Sequence, residues 1–170
     1  MMKKPILPAL MPIMAAILFM QPARGDNLLI AAKGGIQTME FEELGSADSS
    51  LIALVQMGYE FSTLWSMTLG GELEISSSLD KGDVRNQDFN LQNTALYASL
   101  RGRGEYYLIA KLGVVDTEVD FVDTANMDDT GLAATLGMGF GKIVGLELEL
   151  TGYSYQDMGS SVIFSAGLSF

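Results

Sequence analysis

The sequence predicts an all-β fold, an eight-stranded antiparallel transmembrane β-barrel, preceded by a cleaved signal peptide. Eight segments alternate between apolar and polar residues, which is typical of strands that present two different faces. Each segment is close to the roughly 9–11 residues that a tilted membrane strand needs. The connections alternate between short and long, as in transmembrane barrels with short periplasmic turns and longer outer loops.

The beginning of the chain predicts a secretory signal peptide. A basic start precedes an apolar stretch, Ile6–Met20, and the small residues Ala23 and Gly25 stand at the two positions that a signal peptidase reads. A membrane-spanning helix is the weaker alternative, because it needs roughly 20 apolar residues and this stretch is shorter and contains two prolines. We therefore divide the chain into a signal peptide, residues 1–25, and a barrel domain, residues 26–170.

The alternating segments follow one another with no composition break that would mark a second domain. In chain order they are Leu28–Met39, Leu51–Phe61, Ser66–Ser76, Gln92–Arg101, Glu105–Asp116, Gly131–Phe140, Val144–Tyr153 and Ser161–Phe170. The longer connections, polar and rich in acid, are Glu40–Ser50, Ser77–Leu91, Thr117–Thr130 and Ser154–Ser160, and the short ones are Ser62–Trp65, Gly102–Gly104 and Gly141–Ile143. With eight strands, both ends of the barrel domain lie on the periplasmic side.

The two faces of these segments indicate which one meets lipid. In Val144–Leu150 the leucines occupy one face and Glu147 and Glu149 the other, and in Gly131–Phe140 the face opposite the bulky residues carries glycine, alanine and threonine. A soluble barrel with apolar residues inside is the alternative. Its exterior would carry long, evenly spread charges and few glycines, whereas a narrow lumen needs small residues beside occasional large polar ones. The pattern therefore favours an apolar face turned outward to lipid.

Aromatic side chains fall at one height of the predicted barrel. On the outward face they stand at the periplasmic ends of the strands, where amphipathic rings favour the headgroup level. We predict a periplasmic aromatic girdle made of Tyr59, Phe61, Tyr106, Phe140 and Phe170, with Trp65 in the adjacent turn. Chance is the alternative, because aromatics are enriched in any strand, but four separate strands converge on this level.

Charged residues within the segments lie in phase with the inward face. We predict a lumen charge network of Lys33, Glu60, Glu72, Glu74, Arg101, Lys111, Glu147 and Glu149. On the lipid face a Lys or Arg at the membrane midplane would cost roughly 2–4 kcal/mol, so this phase supports the register. A narrow lumen favours ion pairs that fill and rigidify it, because eight strands leave barely enough room for side chains. A gated or leaky ion path is the alternative.

Several kinds of site are disfavoured by what the sequence lacks. It contains no histidine and no cysteine, so the usual general base, the partner of a nucleophile and the commonest zinc ligands are missing. There are 21 acidic and 10 basic residues, which argues against a nucleic-acid partner. Acidic clusters within Glu40–Asp48 and Asp116–Asp129 match no calcium-loop spacing and favour solvated loops. We therefore expect no metal, no cofactor and no enzymatic activity.

The last ten residues alternate between apolar and mostly small or polar side chains, and the last one is aromatic. Ser161–Phe170 places Val162, Phe164, Leu168 and Phe170 on one apolar face. This ending resembles the terminal strand of bacterial outer-membrane barrels, where it is part of the signal that the assembly machinery reads. The resemblance implies that these four residues form the assembly signal.

Over nearly its whole length the chain resembles the small OmpA-like and OmpX-like eight-stranded outer-membrane proteins, including the opacity-type adhesin group and its porin-like barrel domain. The resembling segments are Glu105–Gly113, Thr130–Gly141, Val144–Tyr153 and Gly167–Phe170. The resemblance implies the outer membrane of a Gram-negative bacterium, contact with outer-membrane lipid and lipopolysaccharide, and contact with the barrel-assembly machinery. The peptidoglycan-binding domain of OmpA has no counterpart in this sequence, so the resemblance does not carry over a cell-wall tether.

The expected function is a structural or surface-interaction role, including adhesion to a host or surface ligand through the outer loops, with a mostly plugged polar lumen. The alternative is a narrow pore or a channel for small solutes. A lipid-modifying barrel enzyme is less favoured. The barrel enzymes known as lipid A acyltransferases, lipid A deacylases and omptin proteases use a catalytic histidine, which this chain lacks.

Overall fold

The computed structural model describes residues 28–85, 87–122, 126–141 and 144–170, and within them every side chain but that of Leu64. The predicted signal peptide lies outside the described residues and stays a prediction. Among the described residues, no helix is long and apolar enough to cross a membrane.

Extended backbone dominates the described chain, as expected where apolar and polar residues alternate and β-branched and aromatic residues are frequent. The described residues form ten strands: β1 Leu28–Phe41, β2 Gly45–Ser46, β3 Ser50–Leu64, β4 Met67–Ser78, β5 Gly82–Val84, β6 Gln87–Gly102, β7 Tyr106–Phe121, β8 Met127–Phe140, β9 Gly145–Tyr155 and β10 Gly159–Ser169. Eight of them are long, and β2 and β5 are short additions that pair with β1 and β6.

The eight long strands form one closed antiparallel sheet. They pair in the order β1, β3, β4, β6, β7, β8, β9 and β10, and β10 pairs with β1. Closure pairs the backbone polar groups of every long strand on both sides, which lipid requires. The predicted eight-stranded antiparallel barrel is therefore confirmed. We call the end that carries Leu28 and Phe170 the periplasmic end, following the predicted orientation, and the opposite end the outer end.

The stagger of the strands determines the width of the barrel. A path from partner to partner that starts at Ile30 passes once around the sheet and returns to β1 at Glu40, a shift of ten residues. The partners on the way are Met57, Leu73, Leu96, Val114, Leu132, Ser154 and Ser160. Eight strands with this stagger tilt by about 40° and form a backbone cylinder about 8 Å in radius. Side chains are expected to fill so narrow a cylinder.

Within the membrane-spanning part, side chains are apolar outward and mostly small or polar inward, with Leu54, Ile109 and Ile163 among the buried exceptions. On β8, Leu132 and Leu136 are exposed on the outward face, whereas Ala133 and Thr135 are buried in the lumen. The burial patterns of the other long strands show the same alternation. The facing is the one that the sequence predicts for a barrel surrounded by lipid.

The strands continue past this lipid-facing band at the outer end. β7 has 16 residues and spans about 40 Å along the barrel axis, whereas an apolar band is about 25 Å tall. Beyond Val114 the outward side chains are acidic, as at Asp116 and Glu118, and the last inward ones, Val119 and Phe121, are apolar. This part, which we call the outer extension, therefore has the facing of a water-soluble barrel. It comprises residues 39–41, 87–92, 116–121 and 127–130.

The outer connections are consequently shorter than the sequence predicts. The expected loop Thr117–Thr130 is wrong, because most of it is strand and the connection is reduced to residues 122–126. The expected loop Ser77–Leu91 contains β5, which pairs with the start of β6, and Ser154–Ser160 shrinks to residues 156–158. Acidic composition suggested solvated loops, but acids that alternate with apolar residues also form strands in water.

An apolar plug fills the lumen of the outer extension. Phe41, Phe89 and Phe121 meet there, with ring centroids 5.6 to 6.0 Å apart. The plug consists of the buried side chains of Met39, Phe41, Val84, Phe89, Leu91, Val119, Phe121 and Met158. The expectation of a polar lumen is therefore wrong for this part of the barrel. Water surrounds the outer extension, so the hydrophobic effect turns its apolar side chains inward.

Shortening Phe89 to alanine should destabilise the barrel, because its side chain is 1% exposed and its loss leaves a cavity within the plug. A Phe→Ala change at such a site costs about 3–5 kcal/mol. On gels of unboiled protein, the temperature at which the folded band disappears should fall for Phe89→Ala. It should stay nearly constant for Val122→Ala, whose side chain is exposed at the same end. Equal melting of the two variants would contradict a packed plug.

Candidate functional site in the barrel lumen

Charged side chains from five strands project into the middle of the lumen. They are Lys33 on β1, Glu72 and Glu74 on β4, Arg101 on β6, Lys111 on β7, and Glu147 and Glu149 on β9, and all are buried. Alternation places each of them in phase with the inward positions of its strand, so they face one another across the barrel instead of facing lipid. The eighth predicted member, Glu60 on β3, lies nearer the periplasmic end and is partly buried.

Two lysines each bridge a pair of glutamates. Lys33 Nζ lies 2.9 Å from Glu147 Oε2 and 2.7 Å from Glu149 Oε1. Lys111 Nζ lies 2.8 Å from the same Glu149 oxygen and 2.9 Å from Glu72 Oε2. Glu149 therefore joins the two lysines, while Glu147 and Glu72 are the outer members of a chain of five charges.

Arg101 closes this chain into a ring. Its Nη2 lies 3.2 Å from Glu72 Oε1, and its Nη1 pairs with Glu147 Oε1. The charges then alternate all the way round, in the order Lys33, Glu147, Arg101, Glu72, Lys111, Glu149 and back to Lys33. We call these six side chains the ion ring. Its three positive and three negative charges cancel.

Burial makes the ring depend on complete pairing. Each member's side chain is at most 9% exposed, so each ion has lost most of its hydration. Such a loss is offset where opposite charges surround the ion, and every member has two opposite neighbours. Removing one member leaves both neighbours short of a partner. The ring also links β1, β4, β6, β7 and β9 across the lumen.

Glu74 lies beside the ring and is held by neutral donors. Tyr153 donates its hydroxyl to Glu74 Oε1 at 2.9 Å, and Tyr97 donates to the same oxygen at 3.5 Å. Gln56 Nε2 donates to Glu74 Oε2 and, at 3.3 Å, to Glu149 Oε2. These three neutral residues are not among the predicted members of the network. A signal was present, because each stands four residues from a predicted charged residue on its own strand and so shares its inward face.

Neutral polar side chains follow between the ion ring and the apolar plug. Asn93 Nδ2 donates to Ser76 Oγ at 2.8 Å, and Asn93 Oδ1 accepts from Thr117 Oγ1 at 2.8 Å. Gln37 Nε2 donates to Ser161 Oγ at 2.8 Å, and Gln37 Oε1 accepts from Asn93 at 3.3 Å. Toward the outer end, the lumen thus passes from charged to neutral polar to apolar side chains.

On the other side of the ring, the lumen opens at the periplasmic end into a cavity of about 390 Å³. Tyr107 lies at its base, where its hydroxyl donates to Glu147 Oε1 at 2.9 Å and lies 3.4 Å from Ser169 Oγ. The Arg101 guanidinium lies 5.6 Å from the centroid of the Tyr107 ring. The predicted residue Glu60 lines this cavity. We call the cavity the periplasmic mouth.

Five of the predicted girdle residues lie at the periplasmic ends of their strands or in the adjacent turn. Tyr59 and Phe61 are exposed, with ring centroids 5.7 Å apart, and Tyr106 packs edge-to-face on Phe140 at 5.6 Å. Trp65 stands in the turn between β3 and β4, 94% exposed and with a φ of 56°. Insertion of these rings at the headgroup level stays a prediction.

The predicted assembly signal forms part of the closing strand. Val162, Phe164 and Leu168 are exposed on the outward face of β10. Phe170, also predicted for the girdle, is partly buried, and its N–H and C=O exchange hydrogen bonds with Ile30 at 2.8 and 3.1 Å. The β10–β1 ladder thus continues beyond the end of β10. That the assembly machinery reads these residues stays a prediction.

The described part of the chain holds no group of three or more His, Cys, Asp or Glu residues that could bind a metal ion. The carboxylates of the ion ring are occupied by lysine and arginine. The arrangement is therefore suited to linking strands and to holding charge in place.

At the outer end, a carboxylate fastens the connection between β9 and β10. Asp129 accepts hydrogen bonds from the backbone N–H groups of Asp157 at 2.7 Å and Met158 at 2.8 Å. Because the Met158 side chain belongs to the plug, Asp129 holds a connection that covers the outer end of the lumen. Burial opposes the ionisation of Asp129, but these backbone donors outweigh it and lower the pKa of its carboxyl below the usual value.

Solved structures that share this fold are small outer-membrane barrels. Ail, the attachment invasion locus protein of Yersinia pestis, matches with a TM-score of 0.62 at 14% identity, covering 85% of this chain and 98% of Ail. Neisserial surface protein A matches with a TM-score of 0.59 at 16% identity, covering 84% and 95%. The outer membrane enzyme PagL matches with a TM-score of 0.51 at 13% identity, covering 84% and 98%. No protein-family model and no curated protein matches the chain.

These matches confirm the fold that the resemblance implied, that of the small OmpA-like and OmpX-like outer-membrane barrels. Ail and PagL are outer-membrane proteins, in agreement with the predicted location. The matched proteins include both surface proteins and an enzyme, so the role of this chain has to be argued from its own side chains.

Replacing Lys111 by methionine should destabilise the barrel by about 3–5 kcal/mol, because Glu72 and Glu149 each lose a partner while buried. Urea unfolding in lipid vesicles, followed by the fluorescence of Trp65, measures the change. The control is Lys81→Met, which breaks the exposed pair with Asp88 and should cost less than about 1 kcal/mol. The double variant Lys111→Met with Glu149→Gln should recover part of the loss. Similar losses for the two lysine variants would contradict a coupled ring.

Acid should loosen the connection between β9 and β10. A carboxyl whose pKa is lowered in the folded state contributes stability above its unfolded pKa and loses it as the pH falls through the folded value. The hydrogen bonds from the N–H groups of Asp157 and Met158 to Asp129 should therefore be intact above about pH 4 and weaken below it. The amide chemical shift of Met158, followed by NMR between pH 6 and pH 2, tests this. Asp129→Asn should abolish the titration, and a midpoint at or above about pH 4 would contradict the lowered pKa.

Proposed function

We propose that this protein is a closed, non-enzymatic barrel of the outer membrane that acts through its outer surface. The observation that carries the proposal is the double closure of the lumen, by the ion ring at mid-height and by the apolar plug at the outer end. A pore needs a continuous wet path, whereas both closures consist of paired or packed side chains. A barrel closed in this way serves as a rigid support for an outer surface that contacts other molecules.

The charge of the outer end supports a basic partner. Its described acidic residues on outward strand positions and connections are Glu40, Glu42, Glu43, Asp48, Asp80, Asp83, Asp88, Asp116, Glu118, Asp120, Asp128 and Asp157. Lys81 and Arg85 are the basic residues among those described at this end. Complementary charge steers association and selects partners. The partner that fits best is therefore a positively charged protein surface, in an adhesion-type contact.

One of the solved neighbours has been solved with a ligand of the opposite charge. Ail has been solved in complex with the heparin analogue sucrose octasulfate, which is a polyanion. Sulfate groups would be repelled by the acidic outer end of the present chain. The shared fold would thus carry a different surface chemistry here.

The remaining contacts follow from the faces of the barrel. The outward apolar side chains would contact outer-membrane lipid and lipopolysaccharide, and the terminal strand would be read by the barrel-assembly machinery. A PagL-like enzymatic role is not proposed, because the sequence contains no histidine to serve as general base. The carboxylates of the ion ring are already paired with lysine and arginine.

Purified protein in planar lipid bilayers should show no steady single-channel conductance, because the ion ring and the plug both block the lumen. A porin inserted in the same bilayers provides the control for detection. Steady channels from the unaltered barrel would contradict the proposal and favour the narrow-pore alternative.

Neutralising the outward acids of β7 should weaken adhesion. Cells that display the variant Asp116→Asn, Glu118→Gln, Asp120→Asn should bind a surface coated with a basic protein several-fold less than cells with the original chain. As an opposite control, Lys81→Gln removes a positive charge from the same end and should not weaken binding. The barrel should stay folded, because these side chains point into water. Adhesion that is absent, or unchanged by these charges, would contradict the surface role.

A further inference from the structure

The ion ring forms the inner end of the periplasmic mouth, a cavity without a role in the surface function proposed above. Its volume of about 390 Å³ lies in the range in which proteins bind small molecules. Beside Leu29, Phe170 and several glycines, its lining contains the polar and charged side chains of Glu60, Thr68, Arg101, Arg103, Tyr107 and Ser169. Because the ion ring separates it from the outer end, any occupant enters from the periplasmic side.

The base of the mouth is rigid before any ligand arrives. Arg101 is paired with Glu147, and Tyr107 donates its hydroxyl to the same glutamate. The Tyr107 ring lies against β8 and β9 at Gly139 and Gly145, where a Cβ atom would collide with it. Fixed groups of this kind lower the ordering cost of binding.

Two side chains of opposite charge, Glu60 and Arg103, line the mouth and do not belong to the ion ring. Among the described residues, neither Glu60 nor Arg103 has an ion-pair partner within 4 Å. Arg101, by contrast, is neutralised within the ion ring. The mouth therefore presents one carboxylate and one guanidinium to the same cavity, and neither is in contact with an opposite charge among the described residues.

The geometry points to a binding site for a small zwitterion, a molecule that carries both an ammonium and a carboxylate group. Glu60 pairs with the ammonium group, and Arg103 pairs with the carboxylate. The hydroxyls of Thr68 and Ser169 supply further hydrogen bonds. A purely anionic ligand would be repelled by the Glu60 carboxylate, and a purely cationic one by the Arg103 guanidinium. Free amino acids and the two ends of a short peptide share the required chemistry.

The experiment is an NMR titration of the refolded barrel in lipid nanodiscs, followed at the amide resonances of Gly102 and Gly145. The probes are L-alanine, L-alanyl-L-alanine, and the dipeptide with its amine acetylated or its carboxylate amidated. At least one unblocked probe should bind saturably, and both blocked forms should bind about tenfold more weakly or worse, because each loses a charge-assisted hydrogen bond. Tighter binding of alanine identifies free amino acids as the ligand class, and tighter binding of the dipeptide identifies peptide ends.

Variants locate the site. Glu60→Gln and Arg103→Gln should each weaken binding about tenfold or more. Glu105→Gln, at the same end but outside the lining of the mouth, and Arg85→Gln, at the outer end, should leave it unchanged. All four lie outside the ion ring, so their amide spectra should otherwise match that of the original chain. The proposal is overturned if no probe saturates, or if the acetylated dipeptide binds equally well and Glu60→Gln has no effect.

Discussion

The hydrogen-bonded ladder between β1 and β10 is the constraint on which the rest of the molecule depends. It closes eight strands with a stagger of ten residues, and these two numbers determine a cylinder only about 8 Å in backbone radius. A charge that points inward has no bulk water to solvate it, so it needs an opposite charge across the lumen. The ion ring meets this requirement, since each of its six members has two partners of opposite sign.

The surroundings of the barrel change along its axis, and the facing of its side chains changes with them. Where lipid surrounds the strands, outward positions such as Leu112 are apolar and inward positions such as Lys111 are polar. Further toward the outer end of the same strand, Glu118 points outward and Phe121 points into the apolar plug. The same hydrophobic effect operates in both parts, but the apolar medium is outside the barrel in one and inside it in the other. Closure by charge at mid-height and by apolar packing at the outer end follows from that difference.

The barrel fold and the inward orientation of Lys33 and Glu147 could be predicted from the sequence, because alternation within a strand is a local property. The ion-pair partners of these two residues could not be predicted in this way. Lys33 and Glu147 are distant in the chain and meet only because closure pairs β1 with β10, whose other neighbour is β9. Tyr97 and Tyr153 were missed because aromatic residues in strands usually indicate packing, and their hydroxyls acquire meaning only once Glu74 is seen between them. The outer connections were misjudged because acidity is a compositional signal, whereas pairing across β7 and β8 makes residues 116–121 and 127–130 strands.

By itself, the sequence determined that this protein is a lipid-facing antiparallel barrel, since period-two alternation, strand length and connection length all act within a few residues of one another. The tertiary structure alone decided which charges pair, where the lumen is closed and how far the barrel extends beyond the lipid. Those properties depend on the stagger between strands. A shift of two residues would keep every side chain on its face and still change every partner across the lumen.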